Sequence, residues 1–98
     1  MKNITVKEKN TIEIRSLTGY TVEGYNFKLM NRQGDIALFQ QFTFTEMPVA
    51  YEIIIVQRNK KKEYPPKTED WGKLGWSFST LEVALKKFNE ICSHVQLN

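Results

Sequence analysis

The side chains that most often carry chemistry are few in this 98-residue chain: one cysteine, one histidine and eleven carboxylates. Cys92 and His94 lie two residues apart in a segment with helical periodicity. That spacing turns their side chains about 200° from one another on a helix, so they cannot share a metal. Cys92 falls on the apolar stripe of that helix and is expected in the core. His94 falls in its last turn, where a cationic imidazole would favour the helix dipole. No serine stands in a nucleophile-elbow setting, and Gly72 and Gly75 fit neither phosphate-loop pattern. Glu13, Glu23 and Glu52 lie on predicted strands, where glutamates would form either a facing acid–base cluster or a solvated face. The solvated face is expected. Glu69 and Asp70 are expected to pair with nearby lysines. The reading is a protein that is not an enzyme, with no metal and no cofactor.

Binding is the other use of charged and aromatic residues, and here the pattern is concentrated. The chain carries a net charge of +3, too small by itself to imply nucleic acid. Between Gln57 and Lys67, however, Arg58, Lys60, Lys61, Lys62 and Lys67 face Glu63 alone, so five cations meet one carboxylate. Tyr64, Trp71 and Trp76 follow among prolines and glycines. Lysine and arginine attract phosphate, and aromatic faces stack on unpaired bases. The same residue types make hot spots in protein interfaces. The candidate partner-binding residues are Arg58, Lys60, Lys61, Lys62, Tyr64, Lys67 and Trp71. A protein partner is expected first and nucleic acid second. The competing structural reading is a solvated hairpin tip with the tryptophans packed beneath it.

The elements that would position these residues begin at the C-terminus. Leu81, Ala84, Leu85, Phe88, Ile91, Cys92 and Val95 recur at spacings of 3, 1, 3, 3, 1 and 3. These spacings place one apolar stripe on a helix over about residues 79–95. Ser79 and Glu82 match a capping box, and Phe78 and Val83 a hydrophobic staple. A helix of this length needs a surface to lie on, and the upstream sequence offers a sheet. Ile4 and Val6, then Ile12 and Ile14, alternate with polar residues as a strand pair over about 3–15. A long hairpin over about 20–44 turns at Asn31–Asp35. Tyr20 and Val22 and then Tyr25, Phe27 and Leu29 change parity, which points to a bulge at Gly24. Phe39, Phe42 and Phe44 return alongside them and are expected to be core. Ile53, Ile54, Ile55 and Val56 are apolar on both faces and predict a central strand within about 50–58. Pro65 and Pro66 predict an irregular, extended connector, followed by a short strand at about 75–78.

The expected architecture is α+β: one domain over residues 1–98, a twisted antiparallel sheet of about five strands with one C-terminal helix packed on one face. With 41% apolar residues, 12% aromatic residues and one cysteine, the chain reads as a folded protein without an internal disulfide. MKNITVKEKN lacks the apolar run of a signal peptide, and no stretch reaches the length of a membrane span. The expectation is a cytoplasmic protein without membrane partners, whose oligomeric state is left open.

Residues Tyr64 to Phe88, YPPKTEDWGKLGWSFSTLEVALKKF, resemble the C-terminal half of small uncharacterised proteins encoded by bacterial phages and mobile elements. In those proteins a tyrosine-proline, a Trp-Gly turn, an aromatic strand and a TLExAxxKF-like helix follow an apolar strand. The resemblance covers about the last 50 residues and implies mobile-element origin rather than a chemistry. It leads to the expectation of an accessory or inhibitor protein that binds and blocks a host protein. The same stretch is similar to the WGR domain, a DNA-end-binding module of poly(ADP-ribose) polymerases, through Trp71, Gly72 and Gly75. Lys73 stands where that family has arginine, Pro65 and Pro66 occupy the strand leading into the motif, and a following strand pair is missing. DNA-end binding is not carried over on this similarity.

Overall fold

A computed structural model describes residues 15–22 and 24–97 of the chain, with side chains as far as residue 94. The strand pair expected over about 3–15, with Glu13, lies outside the described residues except for Arg15, and so does Glu23. The strands are β1 (Gly19–Val22), β2 (Tyr25–Gln33), β3 (Ile36–Phe42), β4 (Pro48–Ile55), β5 (Gln57–Arg58), β6 (Glu63–Tyr64) and β7 (Gly75–Phe78). Among the described residues they precede one α-helix, α1 (Leu81–Leu97). Five strands form an antiparallel sheet in the order β1-β2-β3-β4-β7, and β5 and β6 pair as a separate two-stranded hairpin. The fold is α+β, as the sequence predicts.

Chain parity explains the first hairpin. Tyr20 pairs with Phe27 and Val22 with Tyr25, so residues of opposite parity share a face across a two-residue turn. Gly24, at φ 86°, sits in that turn. The change of parity therefore marks the end of a strand and not the bulge expected there. The irregularity in β2 lies instead between Leu29 and Asn31. Gly34, at φ 61°, makes the next turn, beyond which Gln33 pairs with Ile36.

The sheet is covered on both faces. On one, Ile36, Leu38 and Ile53 pack against Ala84, Phe88 and Cys92 of α1, with Tyr51, Trp76, Phe78, Leu81 and Ile91 around them. The helix crosses β3, β4 and β7, and Lys28 and Met30 of β2 are exposed. Its first turn starts one residue later than the capping box implies. Thr80, not Ser79, accepts a hydrogen bond from the Val83 N–H at 3.4 Å. Val83 is 51% exposed and Leu85 also points outward. Val83, the expected staple partner of Phe78, and Leu85 stay outside the packed stripe, and the side chain of Val95 lies outside the described residues.

On the other face, Leu17, Phe27, Ala37, Phe39, Ile54 and Val56 form a second cluster, with Tyr20, Leu29 and Trp71 against it. The proline-containing connector after β6 and the segment around Leu17 supply this layer. β4 is interior to the sheet, as its two-sided apolar pattern predicts, and Ile53 and Ile54 are fully buried. Phe27 and Phe39 are core, while Phe42 is half-buried and Phe44 is 73% exposed.

Candidate functional site

The basic segment is more ordered than its prolines suggest. β5 and β6 pair through Gln57–Tyr64 and Arg58–Glu63, so a hairpin stands where the sequence predicts an irregular connector. Asn59 builds its turn: the Asn59 N–H donates to the Lys62 carbonyl at 3.0 Å. Its side-chain Oδ1 accepts from the Lys61 and Lys62 N–H groups at 2.9 and 3.0 Å. Asparagine favours such a turn because its side chain mimics a backbone acceptor. Arg15 runs alongside, donating its N–H to the Lys61 carbonyl and accepting from the Glu63 N–H, both at 3.0 Å. Arg15, Asn59, Lys60, Lys61 and Lys62 together line one shallow, open depression. All five are exposed, and among the described residues none of these four cations has a carboxylate partner.

The base of the hairpin is held differently. Arg32 of β2 makes a bidentate pair with Glu63, Nη1 to Oε1 at 2.6 Å and Nη2 to Oε2 at 2.9 Å. Arg58 bonds Glu63 Oε2 at 3.0 Å and both carboxylate oxygens of Asp35. The Leu17 N–H donates to Glu63 Oε1 at 3.0 Å. Two arginines and two carboxylates thus form a neutral network that ties the β2–β3 turn to the small hairpin. The bidentate Arg32 guanidinium holds the Glu63 carboxyl far below the ordinary carboxylate range, against the opposing effect of burial, with help from the Leu17 amide and Arg58.

The seven candidate residues are therefore divided. Lys60, Lys61 and Lys62 stand together at an exposed tip, joined by Arg15, which the sequence does not single out. Arg58 is engaged by Asp35 and Glu63, and Lys67 is exposed on the connector. Tyr64 and Trp71 are half-buried. Trp71 packs on the second core cluster, and its ring lies against Gly75 so closely that a Cβ at 75 would overlap it. The Gly72 N–H donates to the Gly75 carbonyl at 2.7 Å, closing the turn. The Trp-Gly-x-x-Gly spacing thus serves a ring-on-backbone contact. Glu69 and Asp70 form a short 3₁₀ turn, Thr68–Asp70, and neither makes the expected ion pair with a described lysine.

A second locus lies where the sequence predicts a solvated glutamate. Glu52, on interior strand β4, is only 8% exposed. The Tyr20 hydroxyl donates to Glu52 Oε1 at 2.5 Å. Tyr20 is itself stacked on Phe27, ring centres 4.5 Å apart, and meets Phe39 edge-on at 5.1 Å. Burial raises the Glu52 pKa, and hydrogen bonds from Tyr20 and Ser77 oppose the rise. Burial, then the bond to Glu52, also drives the Tyr20 phenol well above its ordinary value, so the proton stays on the phenol. A pocket of about 120 Å³ opens here, lined by Tyr20, Val22, Phe27, Glu52, Pro65, Pro66, Thr68 and Trp71. The signal for it was present. If β4 is apolar on both faces, Glu52 between Tyr51 and Ile53 must share the buried face of Ile54.

Cys92 is buried, and that burial raises its thiol pKa, as befits a core residue. Among the described residues no cluster of histidine, cysteine and carboxylates could hold a metal ion, and no helix is long and apolar enough to cross a membrane. No protein-family model, no curated protein and no solved structure matches the chain.

Proposed function

We propose that this protein is a small non-catalytic binding module that captures an acidic protein surface with the tip of the β5–β6 hairpin. The observation that carries the reading is the grouping of Arg15, Lys60, Lys61 and Lys62. Lys60, Lys61 and Lys62 sit on a turn fixed by Asn59 with Arg15 beside it, and all four are exposed with no carboxylate partner among the described residues. Arg58, a few residues away, has its charge absorbed by Asp35 and Glu63, so the contrast lies within one hairpin. Such a tip steers an acidic partner and fixes its orientation. The half-burial of Tyr64 and Trp71 removes the aromatic platform that single-stranded nucleic acid would use, which favours protein over nucleic acid. The resemblance of residues 64–88 to phage and mobile-element proteins extends the proposal to an accessory or inhibitor protein in the cytoplasm that blocks a host factor by occupying its surface.

The test is capture from a host lysate, with and without nuclease, using the wild type and the K60E/K61E/K62E variant. The expected outcome is a protein retained by the wild type in both conditions, and lost by the variant while its thermal unfolding is unchanged. Capture that survives the charge reversal removes the tip from the interface. Capture abolished by nuclease transfers the assignment to nucleic acid, and a steep salt dependence with defined oligonucleotides would then follow.

A further inference from the structure

The pocket beside Glu52 combines features that an ordinary core does not need. Its floor is a carboxylate on an interior strand. Its walls are the rings of Tyr20, Phe27 and Trp71 and the two prolines of the connector. Glu52 receives a hydrogen bond from Tyr20 and lies opposite Ser77 on the neighbouring strand, and among the described residues no lysine or arginine pairs with it. A carboxyl so withdrawn from water is costly to ionise unless a cation reaches it. Aromatic rings and a carboxylate together select an organic cation. An anion meets only negative charge there, and a bare metal ion would find a single carboxylate ligand. The cavity, about 120 Å³, has room for a small charged head with a few methylenes.

We propose that this pocket binds the ammonium head of a small alkylamine or of a lysine side chain, with Glu52 accepting from the N–H groups and Tyr20, Phe27 and Trp71 enclosing the methylenes. The charge-assisted hydrogen bond supplies direction and the rings supply cation–π attraction. The Tyr20 hydroxyl, already donating to Oε1, keeps the carboxylate oriented toward the cavity. The site is separate from the lysine tip and does not depend on that reading.

The test titrates the intact protein with n-butylammonium, with n-butanol as the neutral counterpart of the same shape, and with a Gly-Gly-Lys-Gly-Gly peptide. Backbone and indole NMR shifts provide the readout. Butylammonium is expected to give saturable shifts confined to the surroundings of Tyr20, Glu52 and Trp71, with butanol giving none. E52Q, which retains an acceptor for Tyr20, should weaken butylammonium at least tenfold. Tighter binding of the peptide than of the free amine would identify a lysine side chain as the source, and the reverse order a free amine. Equal responses to butylammonium and butanol, undiminished binding by E52Q, or no saturable shift would each overturn the proposal. Should E52Q not fold, the comparison of amine with alcohol on the wild type decides by itself.

Discussion

Glu52 sits on β4 and Glu63 on β6, and their surroundings move their protons in opposite directions. Burial holds the Glu52 carboxyl above its ordinary pKa, so its contribution is complete below the ordinary glutamate value, about 4.3. That contribution is lost as the pH rises through the raised value. Glu63, held low by Arg32, contributes above the ordinary value and loses its contribution as the pH falls through the depressed one. E63Q is therefore expected to destabilise the fold by about 1.5–3 kcal/mol near neutrality, the range for hydrogen bonds to charged groups. The deficit should shrink toward strongly acidic pH. E52Q should abolish the loss that the wild type suffers as pH rises above the ordinary glutamate range. Urea unfolding of the three proteins at several pH values measures both effects, and parallel curves for all three would refute them. The sequence shows neither environment directly. Glu63 depends on Arg32 across 31 residues, a pairing no local pattern encodes. Glu52 was deducible from the two-sided burial of β4.

At the scale of elements, the helix shows what periodicity can and cannot fix. Its existence, its length and the burial of Ala84, Phe88 and Cys92 follow from the 3.6-residue stripe. Its first residue does not, because Ser79 and Thr80 are both good caps and only the approach of the preceding strand chooses between them. Thr80→Ala is expected to cost about 1 kcal/mol, whereas Ser79→Ala should leave stability within about 0.5 kcal/mol of the wild type. Chemical denaturation of the two variants distinguishes them, and a reversed order would restore the Ser79 box. The β5–β6 hairpin matches the competing reading of a solvated hairpin tip rather than the irregular connector. Pro65 and Pro66 argue against a ladder at their own positions, but they begin just after β6 ends, so the pairing of Glu63 and Tyr64 stops where the prolines require.

For the molecule as a whole, the sheet is clad unequally. Residues on β3 and β4 are buried beneath α1 on one side and beneath the connector on the other. The helix packs on β3, β4 and β7, while β1 is mostly exposed. Amide exchange should therefore be slowest in β3 and β4, at Leu38, Phe39, Ile53 and Ile54, and faster by at least tenfold in β1. Uniform protection across the five strands would contradict this unequal cladding. Between β3 and β4, Phe44 and Met47 are widely exposed, and Val49 and Tyr25 are also exposed. The arginine–carboxylate network bears on how such a protein can change over time. The hairpin is bolted at Arg58 and Glu63, and the lysines beyond touch little that the scaffold requires. Mutation at 60, 61 and 62 is therefore nearly free of penalty for folding, and a lineage carrying this scaffold could retarget its fingertip while everything below the bolt stayed put.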